Sequence, residues 1–270
     1  MKANTLVTVD TWSKFMITIA IINILIVCYV FTNVNSSFEM KLFILAAIFV
    51  VVNSIRSIWL RQDNARLCLF DTIMSSPLIG RTITTVSELA FVALLILVVK
   101  EIIRKSNYSN KSSLNLTLNI VFFMILIAEV FCWSGCLSHN QYWNMLEEST
   151  WTLSSIIISI IMVILYVNTS NKSFEKFLYV AILVSVMYQV FMIKVDVPMY
   201  YQRGKNHIPD KEYENKSLLD KIKDMYKCKK ISNSNEDWDN EMPWMTGYFT
   251  SGSWISIALV VWYQINRKLF

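Results

Sequence analysis

Seven apolar runs of about 20 residues recur along this 270-residue chain, and each could cross a ~30 Å hydrocarbon layer as a helix. Hydrophobic residues make up 54% of the sequence and charged residues 17%, against roughly 25% charged residues in soluble domains. We therefore expect an all-α, polytopic integral membrane protein, with one membrane domain over 1–270. The predicted spans lie near 12–32, 40–60, 78–99, 115–137, 151–168, 176–194 and 247–265.

Two stretches between the spans are too polar to cross the membrane. In residues 60–75, charged and apolar residues alternate in the pattern of a short helix lying at the membrane surface. Residues 195–246 are predicted to form an extramembrane loop. Within it, the apolar spacing of "SLLDKIKDMYK" indicates a short amphipathic helix.

An odd number of spans places the N-terminus, the 60–75 connection and the 195–246 loop on one side, here called face A. The opposite side, with the C-terminus, is face B. Lysines and arginines beside the spans are more numerous on face B, which favours face B as the cytoplasmic side. Glycosylation sequons on face B argue for the reverse orientation, although a chain so rich in Asn and Ser is expected to contain sequons by chance. These sequons begin at Asn35, Asn107, Asn110, Asn168 and Asn171.

Glu88 and Glu129 stand inside apolar runs, where an ionised carboxylate costs about 2.5–3.5 kcal/mol. At ~1.5 Å of rise per residue, both acids lie at a depth of roughly 10–12 Å from face A. Arg81 is expected to point toward the N-terminus of its helix and away from Glu88, so a pair between them is not predicted. The two acids are instead predicted to form one site that favours a proton or a cation. A buried structural pair with an arginine is the alternative.

Further polar and aromatic residues at the face-A ends of the spans extend this prediction to a cavity. Its predicted lining is Arg56, Arg81, Glu88, Glu129, Trp133, Glu147, Glu148 and Trp151. A second group follows the sixth span and is typical of lipid headgroup or phosphate contacts, although an ordinary interface belt is the favoured explanation. That group is Tyr200, Tyr201, Arg203 and Lys205.

Motifs for known chemistry are absent from the sequence. There is no GxSxG, HExxH or P-loop, and two isolated histidines cannot supply a three-histidine zinc site. The five cysteines include no CxxC, and we expect neither a metal site nor a disulfide framework. We predict no cofactor, no metal and no nucleic-acid partner. The expected partners are the lipid bilayer and a small solute or lipid ligand.

Three functions fit these features. Binding or transport of a proton or small cationic solute through the acidic cavity is favoured. The others are an intramembrane enzyme that uses paired carboxylates on a lipid or isoprenoid, and a structural or assembly protein. The abundance of Asn, Ile, Lys and Ser resembles that of membrane proteins of large AT-rich DNA viruses, which implies a host or virion membrane. Whether the protein is an enzyme, and its oligomeric state, stay open.

Overall fold

The computed structural model describes residues 7–207 and 211–269, and within them six helices are long and apolar enough to cross a membrane. The sixth of these runs without a break through a π-helical segment, Met192–Asp196, into α7, Val197–Lys205. The chain is therefore an all-α, multi-pass integral membrane protein, as predicted. The other long helices and the start of the sixth are α1 Val9–Phe31, α2 Ser37–Ile58, α3 Pro77–Lys105, α4 Lys111–Ser138, α5 Tyr142–Val167 and α6 Lys172–Phe191.

The remaining elements are short. The predicted seventh span corresponds to a continuous helical run that contains a π-helical segment, Tyr248–Gly252, but it is not among the six long apolar helices, so a count of seven is not confirmed. The short helices are α8 Lys211–Glu214, α9 Leu218–Asp224, α10 Asn235–Trp238, α11 Met242–Gly247 and α12 Ser253–Asn266, with 3-10 turns at Ile73–Ser75 and Arg267–Leu269. The strands are β1 Arg61–Gln62, β2 Leu67–Cys68 and β3 Lys230–Ile231.

Short polar residues start the long helices by satisfying their free backbone N–H groups. The Thr8 hydroxyl accepts from the Thr11 amide, and the Ser36 hydroxyl accepts from the Glu39 amide. The side chains of Asn110 and Asn171 do the same for α4 and α6. Such caps stabilise a helix by about 1 kcal/mol each and fix where it begins.

The chain forms two compact units. Unit 1 comprises the chain up to Leu94 together with Ser217–Ile265. Unit 2 comprises Leu95–Lys216 and the chain from Asn266. The helix α3 therefore contributes its first part to unit 1 and its last part to unit 2.

In unit 1, the continuous helical segment from α11 to α12 lies antiparallel to α2 along its whole length. At the face-A end, the Arg56 guanidinium lies 5.6 Å from the Tyr248 ring centroid. At the other end, the rings of Phe38 and Tyr263 lie 5.1 Å apart. The Trp12 indole also donates to Thr246 Oγ1 over 2.9 Å, which ties α1 to the same run.

Residues 60–75 do not form the surface helix that their charge pattern predicts. The chain instead turns back at Arg66, whose φ is 50°, so that β1 and β2 pair antiparallel. The strand β2 then pairs parallel with β3, from the 195–246 loop. The helix prediction is wrong because this pairing joins residues about 160 positions apart, which local periodicity does not register. We call residues 60–75 and 217–241 the cap.

A disulfide joins Cys68 to Cys228 within the cap, with Cα atoms 5.9 Å apart. The prediction of no disulfide is therefore wrong, because a partner 160 residues away leaves no spacing signature in the sequence. Two cysteines can pair only if they lie on the same side of the membrane. The four long helices α3, α4, α5 and α6 lie between them, and this even number of crossings agrees with that requirement.

Apolar packing holds the cap onto the helices, and an ion pair joins the two segments of the cap to each other. Trp238 is fully buried, donates its indole N–H to the Ser232 carbonyl over 2.9 Å, and lies 5.8 Å from the Trp12 ring. Arg66 is also fully buried and forms an ion pair of 2.9 Å with Asp224. The buried core beneath the cap consists of Val9, Trp12, Met16, Leu60, Leu67, Leu69, Trp238, Met242, Met245 and Phe249.

Unit 2 is built around α5, which packs on both α4 and α6. A Cβ added at Gly135 would lie 2.4 Å from Asn144 Oδ1, so the absence of a side chain there lets α4 and α5 approach closely. Polar contacts join α5 to α6, where the Ser159 and Ser185 hydroxyls lie 2.6 Å apart.

Candidate functional site: a buried arginine cluster

Glu88 lies in α3 between two hydrogen-bonding partners. Arg81, two turns earlier on the same helix, forms an ion pair with Glu88 Oε2, and the two side chains are only 7% and 12% exposed. The Tyr248 hydroxyl donates to Glu88 Oε1 over 2.9 Å. The prediction that Arg81 points away from Glu88 is therefore wrong. The long arginine side chain runs against its usual direction, because an unpaired carboxylate in an apolar helix would be costly.

The π-helical segment Tyr248–Gly252 places Tyr248 and Phe249 against α2 and α3. One extra residue in a helical turn leaves a backbone carbonyl without its regular partner. Asn23, fully buried on α1, donates to the Phe249 carbonyl over 3.4 Å and accepts from the Trp254 indole over 3.1 Å. The segment is thus held in place by a side chain from another helix.

Arg56 lies in the last turn of α2 and is 7% exposed. Its guanidinium lies 5.6 Å from the ring centroid of Tyr248 and 5.2 Å from that of Phe249, both cation–π distances. Within residues 7–207 and 211–269, no carboxylate forms an ion pair with Arg56. Its positive charge is therefore met by aromatic faces and not by an acid.

Arg61 in β1 has a side chain only 1% exposed. Its Nε donates to Asp63 Oδ1 over 3.0 Å and its Nη1 to the Met74 carbonyl over 3.1 Å. In the described part of the chain, Nη2 of Arg61 is buried without a hydrogen-bond partner. The guanidinium lies directly on the backbone of Gly80, where an added Cβ would be 1.9 Å from Arg61 Cζ.

Arg56 and Arg81 both lie within electrostatic reach of Arg61 at the face-A end of unit 1, and we call Arg56, Arg61 and Arg81 the arginine cluster. Burial lowers the pKa of Arg61 most; the Asp63 carboxylate raises it, and the positive charges of Arg56 and Arg81 lower it further. Asp63 and Glu88 neutralise two of the three arginines. Arg56 is the member of the cluster that forms no ion pair within the described residues.

The other predicted cavity residues belong to unit 2. Glu129 and Glu147 are buried, at 4% and 5% exposure, and Glu147 accepts from Asn144 Nδ2 over 3.0 Å. Glu148, Trp133 and Trp151 are half-buried. The structure thus brings Arg56, Arg81 and Glu88 together in unit 1. The pairing of Glu88 with Glu129 stays a prediction.

The predicted headgroup residues lie on α7. Arg203 lies 5.9 Å from the Tyr200 ring centroid, and the Tyr201 ring lies 6.1 Å from that of Tyr142. Tyr201 and Lys205 are exposed. In the described residues, no three side chains of His, Cys, Asp or Glu come close enough together to hold a metal ion.

Two members of the site were not predicted from the sequence. Arg61 lies in the segment 60–75, which was predicted to be a surface helix, and Tyr248 lies at the start of the predicted span 247–265. A usable signal was the presence of three arginines at positions 56, 61 and 81, all next to face A in a chain with few charges. A tyrosine facing a buried carboxylate has no such signature.

Comparison with known proteins gives no relative. No family model matches the chain, and no curated protein and no solved structure matches it.

Proposed function

We propose that this membrane protein binds an anionic group, a carboxylate or a phosphate ester, at the arginine cluster on face A. The observation that carries the proposal is Arg56, a buried guanidinium with aromatic neighbours and no ion-pair partner in the described residues. The free Nη2 of Arg61 gives independent support, since it is a buried donor with nothing to donate to.

The energetics favour an anion there. Burial of an arginine in a membrane protein is unfavourable, and the cation–π contacts of Arg56 return roughly 2 kcal/mol. The planar guanidinium matches a carboxylate or phosphate with two parallel hydrogen bonds, which are stronger than neutral ones.

The same chemistry occurs in a free solute and in a lipid headgroup. A thermal-melting series in detergent with acetate, methyl phosphate and choline separates anions from cations. A second series adds a phosphodiester lipid and compares it with a control in a detergent that contains no zwitterion. This comparison separates binding of a lipid headgroup from binding of a free solute. We expect stabilisation by the anions and none by choline.

The test variant is Arg56→Gln. Its matched control is Arg104→Gln, which replaces an exposed arginine at the end of α3. We expect Arg56→Gln to abolish the stabilisation and Arg104→Gln to keep it. Equal stabilisation of both variants by methyl phosphate would show that the anion binds elsewhere. Stabilisation by choline alone would reject the proposal.

Binding or transport of a proton or small cationic solute is the second candidate. The burial of Glu129 and Glu147 within unit 2 supports it. Glu88 lends it less support, because Arg81 and Tyr248 already engage both carboxylate oxygens. Unchanged proton or cation flux in Glu129→Gln liposomes would remove this candidate.

Two other roles have less support from the structure and the sequence. An intramembrane enzyme acting on a lipid or isoprenoid would use the same buried carboxylates, and product formation from such a substrate would be its test. An assembly role in a host or virion membrane has its support in the Asn-, Ile-, Lys- and Ser-rich composition and in the buried Arg81–Glu88 pair.

A further inference from the structure

We propose that Asn215 carries an N-linked glycan and that face A is the extracytoplasmic side of the membrane. This inference is independent of the anion site. It combines a disulfide, a short sequence motif and the exposure of one turn.

The disulfide assigns the compartment. The pair Cys68–Cys228 lies in the cap, on face A. Disulfides form and persist in the endoplasmic reticulum lumen, the periplasm and the cell exterior, whereas thiols stay reduced in the cytosol. Face A is therefore the oxidising side and face B the cytosolic side. The larger number of lysines and arginines beside face B agrees independently with this orientation.

Asn215 begins the sequon Asn215–Lys216–Ser217 on the same face. No long apolar helix separates it from Cys228, so the two residues lie on the same side of the membrane. The residue is exposed in the turn between α8 and α9, and the Lys216 amide donates to the Tyr213 carbonyl across this turn. An exposed turn is the conformation in which a sequon asparagine can reach an active site.

The face-B sequons differ from Asn215 in their side of the membrane. They lie on the cytosolic side under this orientation, where the transferase does not act. Several of their asparagines also serve the local structure: Asn110 and Asn171 cap helices, and Asn168 Nδ2 donates to the Ile164 carbonyl. We therefore infer that Asn35, Asn107, Asn110, Asn168 and Asn171 are unmodified, as is Asn115, which begins a further sequon in the first part of α4.

The modification is a simple transfer. The side-chain amide nitrogen of Asn215 attacks C1 of the first sugar of a lipid diphosphate-linked oligosaccharide. A C–N bond forms, the C–O bond to the diphosphate breaks, and the lipid diphosphate leaves while the amide loses one proton. No oxidant or reductant is needed.

The experiment is translation of the full chain into endoplasmic reticulum microsomes, followed by glycosidase digestion and gel mobility. We expect one glycan on the unaltered chain, none on Asn215→Gln, and one on Ser217→Thr. The threonine variant is the matched control, because its hydroxyl preserves both the sequon and the cap that Ser217 provides to Asp220. Ser217→Ala should lose the glycan.

Mass spectrometry supplies a readout that does not depend on the folding of a variant. Enzymatic release of the glycan converts the modified asparagine to aspartate, and we expect this mark in the peptide that contains Asn215. The mark on any face-B asparagine would overturn the orientation. An unaltered chain without any glycan would overturn the assignment of Asn215.

Discussion

The Tyr248 hydroxyl donates a hydrogen bond of 2.9 Å to Glu88 Oε1, joining two residues 160 positions apart, while Arg81 holds the other carboxylate oxygen. Both oxygens of this intramembrane acid are therefore engaged inside unit 1. A carboxylate with an arginine and a phenol as neighbours has its charge compensated. Glu88 thus acts as a counter-ion and anchor of the arginine cluster.

Replacement of Glu88 should unbalance this site. We expect Glu88→Gln to lower the free energy of unfolding by about 3–5 kcal/mol, because Arg81 would lose the carboxylate with which it forms a buried ion pair. Equilibrium unfolding in mixed detergent would measure it. A double variant, Arg81→Met with Glu88→Leu, should recover most of the loss, since neither member of the pair is then charged. If the double variant were as unstable as the single one, the ion pair would not explain the effect.

Gly80 should be needed for the position of Arg61. An alanine Cβ would lie 1.9 Å from Arg61 Cζ, so the guanidinium must move and loosen its bonds to Asp63 and Met74. We expect Gly80→Ala to destabilise the protein by about 1–3 kcal/mol. The control is Gly247→Ala, because no atom lies within 4 Å of the added Cβ there. That helical alanine should be neutral or stabilising, and an equal loss in both variants would contradict the argument.

The disulfide should contribute to the stability of the cap. Removal of a native disulfide typically costs about 2–5 kcal/mol. We expect a reducing agent to lower the melting temperature of the unaltered protein and to have no effect on Cys68→Ser with Cys228→Ser. The other three cysteines are present in both proteins and serve as an internal control. If the reducing agent lowered the melting temperature of the double variant by the same amount, the effect would come from these three cysteines and not from the disulfide.

The exposed pair of Lys230 and Asp237 should make cap stability depend on acid. The hydrogen bond from Lys230, and then that from Ser232, lowers the pKa of Asp237 below its usual 3.8. Its stabilising contribution is complete above pH 3.8 and is lost as the pH falls through the lowered value. The difference in melting temperature between the unaltered protein and Asp237→Asn should therefore shrink as the pH falls below 3.8. A difference that grows with acid would have the wrong sign.

The sequence predicted the local features of this fold and failed on the distant ones. Apolar runs such as 40–60 and 115–137 predict helices well, because in lipid every backbone polar group must be satisfied within the segment. The strands of the cap and the Cys68–Cys228 bond depend on residues about 160 positions apart, for which no local pattern exists. Glu88 stood out as an acid in an apolar run. Its partners did not stand out, because the rotamer of the Arg81 side chain and the π-helical segment that holds Tyr248 determine which groups reach the carboxylate.

The proposed anion site depends most directly on Arg56. Equilibrium binding of labelled methyl phosphate to the detergent-solubilised protein measures it, with Arg56→Gln and Arg104→Gln in parallel. Loss of one member of a buried charge pair costs about 2–5 kcal/mol, so we predict binding at one site, weakened about 30-fold or more by Arg56→Gln and unchanged by Arg104→Gln. No saturable binding to the unaltered protein, or equal binding to both variants, would contradict the account.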